Sequence, residues 1–229
     1  MKCKRVLAVF MTAAMTLSLA ACGSNSGSDS KKTEKEDKTY TVGVCQLVQH
    51  DALDAATQGF QDALEEKLGD KVKIEVENAS GDSATCATIT TQFVNDNVDL
   101  IMANATPALQ AAMAATADIP IVATSVTDFA TALDISDWTG KTGINVTGTA
   151  DLAPLDEQAA MVKELVPDAK TVGILYCSAE PNSKYQAETV TDELEKLGFE
   201  VKDYTVADTN EISSVTKKAC DEVDCIYIP

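Results

Sequence analysis

The chain has 229 residues with 36 acidic and 18 basic side chains, a formal net charge of −18, one histidine and seven cysteines. Such acidity repels nucleic acid and anionic lipid, so partners of that kind are excluded, and the length is enough for one large domain or two small lobes. A single histidine rules out any two-histidine metal motif, and an odd cysteine count in a chain of this size is no disulfide framework.

The N-terminus opens with Lys2, Lys4 and Arg5, runs through an apolar stretch from Val6 to Leu19 and closes on Leu19-Ala20-Ala21-Cys22. A basic start, a short apolar run and a small-residue cleavage site form an export signal, expected over residues 1–21. Ending the site in cysteine resembles the bacterial lipobox, in which Cys22 becomes the lipidated first residue. The competing readings are a retained membrane anchor, for which an apolar run of about 14 residues falls short of the ~20 a spanning helix needs, and an ordinary signal peptide with a chance cysteine. Residues 22–39 continue as GSNSGSDSKKTEKEDKT after Cys22, a composition that reads as a solvated spacer. Removing the leader, which is basic and carries no acid, leaves 208 residues with a net charge of −21.

From Tyr40 the pattern is regular. Tyr40 to Cys45 reads as a strand. Asp51 to Leu68 reads as an amphipathic helix with Leu53, Ala56, Phe60, Ala63, Leu64 and Leu68 on one stripe, stopped by Gly69. A strand over 72–76, a helix over 84–95 and the apolar strand 98–102 follow. Thr106 before Pro107 has the form of an N-cap with proline at the first helical position, starting a helix to Thr116. Ile119 to Ala123 is a fourth strand. Residues 126–153 are turn-rich and read as a crossing or hinge segment. The alternation then resumes with a helix to Leu165, a strand 171–176, a helix 183–197, a strand 200–205, a helix 211–220 and a strand 224–228. Short apolar strands alternating with amphipathic helices imply right-handed βαβ units on parallel sheets. Two such series with a crossing between them predict a two-lobed α/β protein with lobes over 40–125 and 154–229. Pro229 follows the last apolar strand directly, with no helix to cover it, so the spacing predicts an incomplete second lobe.

No GxSxG, HExxH, GxxxxGK[ST] or GxGxxG motif occurs. No nucleophile–base pair, metal or cofactor is therefore expected. Cys45, Cys86, Cys177, Cys220 and Cys225 read mostly as small buried hydrophobes, with a Cys220–Cys225 bridge as the minority alternative. Glu65-Glu66 and Asp221-Glu222 read as solvated helix faces.

What remains is polar residues at the carboxyl ends of strands, where open α/β sheets bind ligands. They are Gln46, Gln49 and His50 after the first strand, Asn104 and Thr106 after the third, and Thr124, Ser125, Thr127 and Asp128 after the fourth. Ser178, Glu180, Asn182 and Ser183 follow the first strand of the second series. Each could instead cap a helix or close a turn, and capping is the expected role of Thr106 and Ser183. The two roles are compatible, because a helix N-terminus offers free N–H groups to a carboxylate.

These loops resemble a known family. Gln49-His50-Asp51-Ala52-Leu53-Asp54, Ala105-Thr106-Pro107-Ala108-Leu109-Gln110-Ala111, Asp118-Ile119-Pro120-Ile121-Val122, Val126-Thr127-Asp128 and Asn145-Val146-Thr147-Gly148 are similar, in order, to the ABC-transporter substrate-binding proteins of the tryptophan/tyrosine-uptake type. So are Gly173-Ile174-Leu175-Tyr176 and Glu180-Pro181-Asn182-Ser183, and the resemblance covers residues 41–229. It implies a type I periplasmic-binding-protein fold, closure of two lobes on an aromatic amino acid or similar small solute, and no covalent chemistry. Its partners would be a permease and an ATPase, with a monomeric protein held outside the cytoplasm at the membrane by its lipid. Carried over by motif, Thr106 and Thr127 would donate to the carboxylate, Asp128 or Glu180 would meet the ammonium group, and Asn182 and Ser183 would reach in from the second lobe. Gln49, His50, Asn104, Ser125 and Ser178 complete the expected ligand-binding set. The chain departs from the family at Asp51 and Phe129, where proline is usual. Both border the expected cleft and bear on the exact ligand. A sensory ligand-binding module and a surface-anchored hydrolase are the alternative readings.

Overall fold

A computed structural model describes residues 38–229; the signal segment, Cys22 and nearly all of the spacer lie outside the described residues. The first lobe runs β1 (Tyr40–Gln46), α1 (Asp51–Leu68), β2 (Val72–Asn78), α2 (Ser83–Asn95), β3 (Leu100–Asn104), α3 (Thr106–Ala115), β4 (Ile121–Val126), α4 (Phe129–Ala132) and β5 (Val146–Ala150). The second runs α5 (Leu155–Leu165), β6 (Thr171–Cys177), α6 (Pro181–Lys196), β7 (Glu200–Val206), α7 (Ile212–Glu222) and β8 (Cys225–Tyr227). The strands form two sheets of order β2-β1-β3-β4-β5 and β7-β6-β8, with every pairing parallel. This is the α/β architecture the alternating pattern predicts.

Each lobe has its own core. Cys45, Phe93, Ile101, Leu109, Ile121 and Val126 are central to the first, and Leu155, Val172, Ile174, Val190 and Leu194 to the second. Burial of side chains this size contributes about 1.5–3 kcal/mol each. That explains why the central strands read as continuous apolar runs, since helices cover both of their faces.

The two sheets repeat one local device. Asp99, just before β3, accepts from the Thr41 amide at the start of β1, and its own amide donates to the Thr41 carbonyl. Asp224, just before β8, does the same with Thr171 at the start of β6. The segments Val98-Asp99-Leu100-Ile101 and Val223-Asp224-Cys225-Ile226 are a short internal echo that pins neighbouring strands in equivalent register. Bonds to the Lys170 and Thr171 amides and to the Thr171 hydroxyl hold the Asp224 carboxyl below the usual carboxylate range.

Three differences from the sequence pattern have physical causes. Residues 126–153 do more than cross between lobes: they supply α4 and the fifth strand of the first sheet. Val146-Thr147-Gly148-Thr149-Ala150 is mostly exposed, so it lacks the apolar run that marks a buried strand. Gly148 is required there, because a Cβ would lie 2.1 Å from the Ala123 carbonyl oxygen, beside the irregularity in β4–β5 pairing. Secondly, β3 and β4 begin two residues later than the apolar runs, because Val98 and Ile119 are packed on approach to the sheet before pairing starts. Thirdly, neither expected cap is a cap. The N-cap of α3 is Ala105 and that of α6 is Glu180, which leaves Thr106 and Ser183 inside the first turns.

Candidate functional site

The carboxyl ends of β1, β3 and β4 in the first lobe and of β6 in the second carry the polar loops, and α4 of the first lobe lies against α6 of the second. The support begins under β3. Asn104, 0% exposed, turns its Nδ2 toward the Leu53 carbonyl (2.8 Å) and the Thr57 hydroxyl (2.9 Å) of α1. The Thr57 hydroxyl donates in turn to Gln46 Oε1 at 2.6 Å, while Gln46 Nε2 donates to the Val48 carbonyl and the Asp54 carboxylate. The Leu53 and Val48 carbonyls can only accept, so both amide orientations are fixed by chemistry. Asn104 Oδ1 is thereby forced to face away from the network, buried and without a hydrogen-bond partner.

Immediately after β3 the chain makes a sharp turn. Ala105 has φ 91°, a conformation that costs an L-residue energy and is retained where surrounding structure demands it. The turn starts α3 at Thr106, with the Leu109 amide bonding the Ala105 carbonyl as the first helical hydrogen bond. Thr106 is 2% exposed and its Oγ1 has no partner. The amides of Thr106 and Ala108 belong to the first turn, where no carbonyl lies four residues back inside the helix. A second positive φ, 54°, occurs at Ser125 near the end of β4.

From the second lobe, α6 begins at Pro181. Ser183 Oγ donates to Glu180 Oε2 at 3.1 Å, and Asn182 Oδ1 is buried without a partner. Among the described residues, the buried side-chain oxygens or nitrogens left unpaired are those of Asn104, Thr106 and Asn182. All three belong to the polar set expected at strand ends. A buried polar atom with no partner costs about 1–3 kcal/mol, so such atoms mark places built to receive something polar.

The other expected residues divide by environment. Ser125, Thr127 and Asp128 are half-buried around the start of α4, where Asp128 Oδ1 caps the helix by accepting from the Thr131 amide at 2.7 Å. Glu180 is half-buried beside Ser183. Gln49 and His50 are exposed, and His50 caps α1 by accepting from the Ala52 amide at Nδ1. Ser178 is exposed and is bound to the Val206 carbonyl of β7 through both its amide and its hydroxyl. Phe129 is buried against Gly148, whose Cβ would lie 2.9 Å from Phe129 Cζ. Thr57 is the residue that sequence reasoning passed over. It sits four after Leu53 and three before Phe60, at the centre of the α1 apolar stripe, and a hydroxyl at such a position signals a buried polar partner.

Two parallel-sheet lobes with polar loops gathered at strand ends define a solute-binding α/β fold. The chain belongs to the ABC transporter substrate-binding protein family, whose model matches residues 41–229. It is 37% identical over 236 residues to a tyrosine-binding protein of Clostridioides difficile, covering 100% of this chain and 68% of that relative. A solved domain from Streptococcus pneumoniae in complex with L-Trp is 39% identical with a TM-score of 0.79, covering 84% of this chain and 65% of that one. A ligand-free, open substrate-binding protein with adhesive properties from Clostridium difficile is 36% identical with a TM-score of 0.58, covering 83% and 65%. The chain thus spans about two thirds of the length of these relatives.

Proposed function

We propose that this chain is the solute-binding component of an ABC importer and that it holds an aromatic L-amino acid between its lobes. The observation that carries the reading is the set of three buried, unpaired oxygens, at the end of β3, at the start of α3 and at the start of α6 in the second lobe. A zwitterionic amino acid matches that set. Its carboxylate takes hydrogen bonds from the Thr106 hydroxyl and the first-turn amides of α3, where a helix N-terminus favours negative charge. Its ammonium group donates to Asn104 Oδ1 and Asn182 Oδ1. Asp128 and Glu180 add negative charge nearby, and Ser125, Thr127 and Ser183 line the approach.

The relatives named for tyrosine and L-Trp favour an aromatic side chain. Their comparison also bears on state. At similar identity and coverage, the fold matches the L-Trp complex better than the ligand-free open form, as a lobe arrangement drawn together would. Function would then be hinge closure and delivery to a permease with its ATPase, with Cys22 holding the monomer by a lipid outside the cytoplasm.

Isothermal titration of the full chain with L-tryptophan, L-tyrosine, L-phenylalanine, L-leucine and L-aspartate tests the reading. Saturable binding of at least one aromatic amino acid at one site per chain is expected. Absence of heat with all five refutes the ligand assignment.

A further inference from the structure

Parallel topology places α2, the crossover between β2 and β3, over β1, the strand lying between them. The contact is close. A Cβ on Gly43 would fall 2.6 Å from the ring of Phe93, so this α2 side chain packs directly on the β1 backbone at that point. Cys45 lies two residues further along the same face of β1. Cys86 lies seven residues before Phe93, on the same face of α2. A crossover helix runs opposite to the strands it joins, so stepping back along α2 from Phe93 follows β1 forward from Gly43. Cys86 is therefore brought over Cys45. Both are 0% exposed in one core cluster, and each thiol perturbs the other, Cys45 being pushed up and Cys86 down in pKa.

We propose that Cys45 and Cys86 form a structural disulfide tying β1 to α2 once the chain has left the cytoplasm. The compartment rests on the binding-protein reading; the pairing itself rests on the placement of the two thiols. As the chain folds, the thiolate of Cys86 attacks one sulfur of an external disulfide, releasing one thiol of that reagent and leaving a mixed disulfide. The Cys45 sulfur then displaces the second thiol of the reagent. Two protein S–H groups are oxidised, one external disulfide is reduced to two thiols, and one S–S bond is formed. The same balance holds if Cys45 attacks first. Because the native pair has no solvent access, exchange precedes closure of α2 onto the sheet. Cys177, Cys220 and Cys225 belong to the second lobe and stand outside this pair.

The test is oxidative refolding of the full chain with oxidised and reduced glutathione, followed by denaturation, alkylation and peptide mass spectrometry. The expected product joins the Cys45 and Cys86 peptides at two mass units below their sum, with Cys177, Cys220 and Cys225 alkylated. Alkylation of both Cys45 and Cys86, or pairing of either with another cysteine, overturns the proposal whatever the protein binds. Chain unfolded and refolded in dithiothreitol should melt roughly 5–15 °C below the oxidatively refolded sample, for closure of a loop of about 40 residues. A C45S/C86S double variant should show no such difference, and equal melting temperatures of the two wild-type preparations also overturn the proposal.

Discussion

Thr57→Val removes one oxygen and keeps the shape of the side chain, which isolates what the α1 hydroxyl does. In the structure that hydroxyl donates to Gln46 Oε1 and accepts from Asn104 Nδ2, linking three elements in a buried network. The valine leaves Gln46 Oε1, in a residue 4% exposed, with no donor, and leaves Asn104 with the Leu53 carbonyl alone. An unsatisfied buried acceptor costs about 1–3 kcal/mol and the second lost bond about 1 kcal/mol, so the expected destabilisation is about 2–4 kcal/mol. For a protein of this size that lowers Tm by roughly 4–16 °C. Thr57→Ser keeps the hydroxyl and loses one methyl, with an expected cost of about 1 kcal/mol. Urea unfolding of the three proteins, read by circular dichroism, gives the comparison. Affinity for the aromatic ligand should also fall more with valine than with serine, because Asn104 Oδ1 is aimed by this network. A valine variant as stable as the wild type would falsify the assignment of these hydrogen bonds.

Further outcomes are expected at other positions. Thr106→Val removes an unpaired buried hydroxyl, so folding stability should hold within about 1 kcal/mol, while amino-acid binding weakens by about 10- to 100-fold; a parallel loss of both in thermal melts and calorimetry would place Thr106 in the scaffold alone. Gly148→Ala sets a Cβ 2.1 Å from the Ala123 carbonyl oxygen, and it should destabilise by about 3 kcal/mol or more through loss of β4–β5 pairing. An unfolding midpoint matching the wild type would show that β5 yields freely. Asp224 has a folded-state pKa below its unfolded value, so its contribution is present above the unfolded pKa of about 3.9 and is lost as pH falls through the folded one. The stability gap between wild type and Asp224→Asn should therefore be constant from pH 7 to 5 and shrink below about pH 4. A gap as large at pH 3 as at pH 7 contradicts the sign.

The order of strands and helices was legible because each buried strand carries an unbroken apolar run and each helix an apolar stripe. What periodicity misses is structure whose residues face solvent or whose ends are set by turns. The strand β5 escaped because four of its five residues are exposed. The starts of α3 and α6 escaped because Ala105 and Glu180, whose side chains accept no helix amide, hold the N-cap positions. For the candidate site, strand-end position and residue type placed Asn104, Thr106 and Asn182 among the candidates without separating them from the rest. The difference between them and Ser178 or His50 lies in tertiary partners, since Ser178 bonds β7 and His50 caps its own helix. The supporting role of Thr57 depends on which residue of β3 comes to lie beside α1, and that is fixed only when the sheet assembles.

The most direct test of the account is a crystal structure of the full chain grown with the aromatic amino acid that binds best. The account predicts the ligand carboxylate within about 3.2 Å of Thr106 Oγ1 and its ammonium group within the same reach of Asn104 Oδ1 and Asn182 Oδ1. A ligand bound elsewhere, with those three oxygens still unpaired, contradicts it.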